Sequence, residues 1–394
     1  MPAPNAPTLG LRLETARAAA RLSRRQLSEL SGVSPSMIQK IGDGERHPSD
    51  QVLGALANAL GTTPEELVGG PVRADSRVHQ VIPNLQRAIA AYDLPDDGPI
   101  RPLTQVAADV KASVEDRVQS QYVRLSEQAP ALLAELFRAV DSTRGSEREQ
   151  AARLLALAAR SADAVAYKYG YRDLSARLVE LMRWAAETAA DPALDAAAAY
   201  VRMETFFAAQ QLGPGLRSLQ AAVDRLPSLQ TERLVAAAAA LHMRAAVAAG
   251  RMGQADDARA HLREAERLAS RVRERLYDGT AVGPNSVEIH RLSVAVELGE
   301  PKDLQEAVEA AARWVPPCEL PAERRSHYYV DLGRAHVQLG RPRHAVESLL
   351  VARQIAPQHV REHGQVLMAL ATMVRLTRGR DERVMSLARW AKAV

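Results

Sequence analysis

Apolar residues recur with a helical period at the start of the chain: Leu9, Leu13, Ala16 and Ala20 predict a first helix over 9–20. Ser23 then caps a second helix, and Gln26 at its third position completes a capping-box pattern. Gly32 ends that helix. Ser34 as N-cap and Pro35 at the first helical position open a third, which Gly42 and Gly44 end. Ser49 caps a fourth, "DQVLGALANAL", which stops at Gly61, and Thr63-Pro64-Glu65-Glu66 opens a fifth. Leu27, Leu30, Val33, Ile38 and Ile41 are the predicted interior of this domain, which spans 9–67. The Pro-rich residues 1–8 before it are expected to be disordered.

Two breaks in periodicity follow, "VGGPVRADS" (68–76) and "YDLPDDGPIRP" (92–102), so 68–102 reads as a linker with a short helix. From 103 to 394 the pattern is helical throughout. "YVRLSEQAPALLAELFRAV" (122–140) reads as two helices meeting at Pro130, followed by the polar turn "STRGSERE". A repeat emerges further on. Gly253-Ala258-Leu262-Ala265, Gly299-Leu304-Val308-Ala311 and Gly340-Ala345-Leu349-Ala352 share one spacing, with Ala246, Leu292 and Gly333 seven residues before each leading glycine. The pattern resembles the 34-residue tetratricopeptide repeat, two antiparallel helices with small residues where they cross. Units fall at 239–272, 285–318 and 326–359, with a weaker one at 365–394 and fainter ones around Gly170 and Gly213. Stacking such hairpins buries what one hairpin alone leaves exposed. The fold class expected is all-α: a five-helix domain followed by an α-solenoid.

Composition agrees. Aromatics are 4% of the 394 residues while Ala, Leu and Arg abound, which favours close-packed helices over sheets. One cysteine, Cys318, excludes an intramolecular disulfide and a cysteine-based zinc site and fits a reducing compartment. No charged region followed by an apolar core opens the chain, and no run approaches the ~18 apolar residues of a membrane helix. A cytoplasmic protein without membrane contact is therefore expected. A net charge of +4 permits nucleic-acid binding without demonstrating it.

Residues 9–67 resemble the Xre/Cro/phage-repressor helix-turn-helix family. The resemblance rests on "LS..QLSELSGVS" (22–34), "MIQKI" (37–41), "GERHPS" (44–49), "LGALANAL" (53–60) and "TTPEEL" (62–67). It implies a lambda-repressor-like fold, double-stranded operator DNA as partner, and a third helix whose N-terminus enters a major groove. Base reading then falls on Ser36, Gln39 and Lys40, with Met37 against a thymine methyl. Phosphate contacts fall on Arg24, Ser34 and Arg46. Two positions depart from the family: Arg24 stands where Gln is common, and Gly42, where Glu is common, should loosen the end of the third helix. Residues 1–49 hold seven basic and four acidic residues, but 1–70 is neutral. With the repeats behind it, the layout resembles actinobacterial Xre-type regulators that carry a tetratricopeptide-like C-terminal half.

The remaining constellations are weaker. "HVREH" (359–363) fits the H-x-x-E-H zinc-hydrolase spelling, but it follows the closing Pro357 and no third ligand is identifiable, so it reads as a solvated helix start. "GDGER" lacks the Lys-Ser/Thr of a phosphate-binding loop. No catalytic set converges, and neither an enzyme, a metal nor a cofactor is expected. "DGTAVGPNSVEIH" (278–290) reads as a long inter-repeat loop. There Asn285 and His290 either line a ligand pocket or serve as helix cap and packed core histidine. The resemblance to tetratricopeptide solenoids puts the first helix of each unit on a concave wall: Met243, Val247 and Arg251, then Ser286, Ile289, Ser293 and Glu297, then His327, Val330, Arg334 and Gln338. Arg251 and Arg334 there can clamp a carboxylate or a peptide terminus, or the wall can pack on another subunit. A homodimeric transcriptional regulator responding to a small molecule or peptide is the expected function. The alternative is a scaffold whose repeats recruit a protein to DNA.

Overall fold

The computed structural model describes residues 9–20, 22–46, 48–60, 64–68 and 77–393. The disorder expected of 1–8, the cap expected of Thr63, the side-chain roles of Glu65 and Glu66, and the linker residues 69–76 lie outside the described positions. The chain divides into two compact units, one of residues 1–73 and 367–394 and one of residues 74–366.

The first unit begins with α1 (Leu9–Ala19), α2 (Arg24–Ser31), α3 (Pro35–Gly42), α4 (Asp50–Ala59) and α5 (Pro64–Val68). Leu13, Leu27, Val33, Ile38, Ile41, Leu53, Leu56, Ala57 and Leu67 form one core. Leu30, expected inside, is 63% exposed. Val33, carried inward by the turn at Gly32, takes the core seat at that corner.

The second unit is an array of helices. It opens with α6 (Arg77–Ala90), α7 (Leu103–Val118), α8 (Tyr122–Ser142), α9 (Gly145–Lys168), α10 (Arg172–Thr188), α11 (Pro192–Ala208) and α12 (Leu212–Arg225). It continues through α13 (Glu232–Arg251), α14 (Ala255–Ala269), strands β1 (Arg275–Tyr277) and β2 (Thr280–Val282), and α15 (Pro284–Leu298). Then come α16 (Pro301–Ala311), α17 (Ala322–Gln338), α18 (Pro342–Ile355) and α19 (Pro357–Arg361). The three repeat units fall on α13/α14, α15/α16 and α17/α18, whose first helices start seven, one and four residues before the sequence-derived units. The repeat's leading glycine has a plain cause: Gly253, Gly299 and Gly340 have φ of 70°, 71° and 70°, the left-handed turn between the two helices of a hairpin. The small residues mark close crossings. A Cβ on Gly333 would sit 3.0 Å from Leu349 Cγ, and Ala258, Ala265, Ala345 and Ala352 are fully buried.

Three expectations change here. The stretch 77–90 is no linker helix: Val78, Ile82, Leu85 and Ile89, spaced at helical intervals, are buried in the main core of the array. Residues 122–142 form one helix with Pro130 inside it, held by Leu125, Ala129, Leu133 and Leu136 packing on either side of the proline. The expected loop at 278–290 contains the turn of a β-hairpin. Tyr277 pairs with Thr280, and Asp278 and Gly279, at φ 47° and 77°, make the two-residue turn.

The chain ends in α20 (Gly364–Leu376) and α21 (Glu382–Ala391). Residues from Leu367 onward, most of the weaker unit expected at 365–394, group with the first unit. There Met368 packs against the core built by α1–α5.

Candidate nucleic-acid interface and effector wall

The first unit presents α3 by local capping chemistry. Ser23 Oγ accepts the Gln26 N–H at 3.2 Å and the Gln26 side chain accepts the Ser23 N–H at 2.8 Å, which fixes the start of α2. Gly32, at φ 69°, turns the chain, and its N–H donates to the Ser28 carbonyl. Ser34 Oγ accepts the Met37 N–H at 3.3 Å, so this hydroxyl is engaged in capping α3. With Ile38 and Ile41 buried, Ser36, Gln39 and Lys40 are left exposed together. Met37 is half-buried and packs partly on the core. Arg46 follows in an exposed turn whose backbone N–H donates to the Lys40 carbonyl at 3.0 Å.

Arg24 is differently placed from the phosphate role expected of it. Its Nε lies 3.1 Å from Glu14, a carboxylate that Arg17 also holds at 2.6 Å. Burial pushes the Glu14 carboxyl up, and Arg17 and Arg24 outweigh it and hold it below its ordinary value. This cluster also accounts for Gly42. Its α carbon faces Glu14, and a Cβ there would lie 3.1 Å from Glu14 Oε1, so a glutamate at 42 would set two carboxylates together. On the other side a Cβ on Gly10 would come within 2.2 Å of the Gly42 carbonyl oxygen. Gly10 of α1 thus packs directly on the α3 backbone at Ile41 and Gly42.

In the second unit, the residues expected on the concave wall separate into two groups. Met243 and Ile289 are core residues, 0% and 1% exposed, and cannot line an open wall. Asn285 neither caps α15 nor points the way to a pocket by itself. Its backbone N–H donates at 2.7 Å to Glu274, which also takes the Ser286 hydroxyl at 2.6 Å and so seats the helix N-terminus on a carboxylate. His290 is buried, with Nδ1 2.7 Å from the Ser286 carbonyl. Arg251 and Arg334 do converge, but on Glu297, at 3.2 Å and 3.0 Å. Arg334 also meets Asp331 at 2.8 Å, Asp331 takes the Ser293 hydroxyl at 2.6 Å, and His327 Nε2 lies 3.4 Å from it. Gln338 donates to the Val296 carbonyl at 3.2 Å. The expected clamp is thus closed on the protein's own carboxylates.

A different set of cations gathers on one buried ring, with Glu204 3.4 Å from Arg244. Around the buried Tyr200, the Arg244 guanidinium lies 4.0 Å from the ring centroid, that of Arg160 5.6 Å from it, and Arg324 donates to the hydroxyl at 2.9 Å. Burial pushes the Tyr200 hydroxyl up, yet Arg244, Arg324 and Arg160 outweigh it and bring it down to about 8. Burial and then the neighbouring Arg117 pull Arg160 down to about 9, with Arg324 adding to the effect. The nearby Asp163 is pushed up by burial and by Glu204. Arg160 and Arg117 each donate to the hairpin turn, at the carbonyls of Asp278 and Gly279.

A helix-turn-helix domain family matches residues 8–68. Residues 8–68 are a helix-turn-helix domain. No curated protein sequence matches the chain. Among solved structures, that of Bacillus thuringiensis PlcR in complex with the peptide PapR7 and DNA is similar at a TM-score of 0.33 and 16% identity, over 67% of this chain and 94% of that one.

Within the helix-turn-helix domain, sequence alone located the exposed face of α3. It missed the Glu14 cluster because Glu14 and Arg24 lie on different helices and no spacing connects them. The ring around Tyr200 was missed for the same reason: its members come from α9, α11, α13 and α17. Among the described residues no helix is long and apolar enough to cross a membrane.

Proposed function

We propose that the protein is a DNA-binding transcriptional regulator, working as a homodimer, whose helical array binds an anionic small molecule or peptide and thereby alters operator affinity. The observation that carries the reading is the joint exposure of Ser36, Gln39 and Lys40 on a capped α3, with Arg46 in the turn behind. Lys40 reaches guanine O6/N7 and Gln39 an adenine edge, while Arg46 and the Ser36 N–H at the start of α3 take phosphates. Ser34 contributes as the cap of α3, and Arg24 as the partner that holds Glu14. One such domain covers few base pairs, and a two-fold pair places two recognition helices about 34 Å apart on one DNA face.

The effector reading rests on the three guanidiniums gathered around Tyr200, where Glu204 pairs with Arg244 and a further carboxylate or phosphate can bind. A ligand shifts operator affinity only if it favours one arrangement of the dimer over another.

Fluorescence anisotropy on an operator selected from random DNA tests the DNA half. Lys40→Ala is expected to weaken the selected site by roughly 10-fold while sparing unrelated DNA. Arg46→Ala should weaken both alike and lower the salt slope by about one. Equal losses on both DNAs for Lys40→Ala would refute its base-reading role. For the effector half, a thermal-shift panel of carboxylates, phosphates and short peptides should stabilise the wild type. Arg324→Gln should lose that response, and stabilisation unchanged in the variant would remove the ring from the account.

A further inference from the structure

The motif "HVREH" does not form the solvated helix start that its sequence suggests. α19 ends at Arg361, so His359 and His363 do not share one helical face, and His359 is fully buried. The third histidine absent from the local sequence is His327 of α17, 32 residues upstream of His359. One ring nitrogen from each of the three lies within 4.8 Å of the others.

We propose that His327, His359 and His363 form a binding site for a divalent transition metal of the zinc class. The protonation of His359 follows from its hydrogen bonds. Ser326 Oγ donates its single proton to the Glu323 carbonyl at 3.0 Å, so towards His359 Nδ1, 2.5 Å away, it must accept. The imidazole proton therefore sits on Nδ1, and Nε2 carries a lone pair. That Nε2 is buried and has no hydrogen-bond partner, and so is His363 Nδ1. A buried, unpaired ring nitrogen is costly unless something occupies its lone pair. A serine hydroxyl or carboxylate behind a histidine is how ligand rings are oriented and held in one tautomer. Ser326 serves His359 in this way, and Asp331, 3.4 Å from His327 Nε2, steadies that ring.

The donor set and its surroundings fit a borderline cation. Three imidazoles suit zinc, cobalt, nickel or copper and not magnesium or calcium. Metal–nitrogen bonds of about 2.0–2.1 Å in a tetrahedral site put the nitrogens about 3.3 Å apart. The three need to close by at most about 1.5 Å, a shift that small rotations of the His327 and His363 side chains, both only partly buried, supply. Lys168, Arg324, Arg334, Arg251 and Arg117 stand around the site with Glu323, Asp331 and Glu297, a net positive surround that an anion in the fourth position would offset. Three protein ligands leave the fourth position open to water or to an anion.

The test uses the full-length protein, stripped with chelator and titrated with Co2+ and then Zn2+. One Co2+ per chain is expected, with the visible absorption of a tetrahedral or five-coordinate site, displaced stoichiometrically by Zn2+, and with a rise in melting temperature. His359→Ala should abolish saturable binding, Ser326→Ala should weaken it roughly 10- to 100-fold, and His344→Ala, in the separate His336–His344 pair between α17 and α18, should leave it unchanged. Wild-type protein that takes up no stoichiometric Co2+ overturns the proposal whatever the variants do. So does binding unchanged in His359→Ala and Ser326→Ala, each checked for its helical circular dichroism.

Discussion

Gly10→Val is expected to unfold the helix-turn-helix domain while leaving the helical array intact. At this crossing the first carbon of any side chain would lie 2.2 Å from the Gly42 carbonyl oxygen and 2.9 Å from that of Ile41. Both obstacles are backbone, so neither can rotate away, and α1 would have to leave α3. Overpacking of this kind costs about 3 kcal/mol or more. For a domain of this size that is a fall in melting temperature on the order of 15 °C. Calorimetry should show the lower-melting transition move and the other stay, with operator binding lost at the temperature where the first transition completes. Gly42→Ala is the informative contrast. Its new carbon would meet only the flexible end of Glu14, at 3.1 Å, and alanine gains about 1 kcal/mol of helix propensity over glycine. A small or slightly favourable change is expected there. A large loss at Gly42 together with tolerance at Gly10 would contradict the crossing geometry.

The second large effect concerns Glu297. Burial alone would push this carboxyl up, but Arg251 and Arg334 outweigh it and bring it down to about 2. A carboxyl whose folded-state pKa lies below its ordinary value of 4.5 stabilises the fold above that value. The contribution is fully present at neutral pH and is lost as pH falls from about 4.5 towards 2. Its size is about 3 kcal/mol. Glu297→Gln should therefore destabilise the array by about 3 kcal/mol at pH 7, since it removes the carboxylate that Arg251 and Arg334 share. The gap between wild type and variant should narrow steadily below pH 4.5. Urea unfolding at pH 7 and pH 3 measures both points. A gap that is constant across this range would mean that the pair of arginines does not hold the carboxyl down.

Much of the fold was legible because it is written in short-range patterns. The capping serines at 23, 34 and 49 and the repeat spacing of glycine, alanine and leucine each act within a few turns of helix. The Asp278-Gly279 turn was equally local and was overlooked because the expectation of a helical array left no room for a hairpin. Arrangements made by distant residues were not legible. Arg251 and Arg334 were visible as an inward-facing pair, but that Glu297 already neutralises them depends on three helices meeting. His327 and "HVREH" were both visible, but their convergence depends on how α17 and α19 pack. Leu30 shows the limit of periodicity on a helix of eight residues, where one turn decides which leucine is inside.

The central claim is that α3 of the helix-turn-helix domain reads DNA through Lys40 and its exposed neighbours. The most direct measurement is anisotropy of the full-length protein on its selected operator, across a salt series, for wild type and Lys40→Ala. The account predicts tight, salt-sensitive wild-type binding and a variant that loses preference for the operator over unrelated DNA while keeping the same salt slope towards the latter. Failure to select any sequence, or a Lys40→Ala protein with undiminished operator preference, would contradict it.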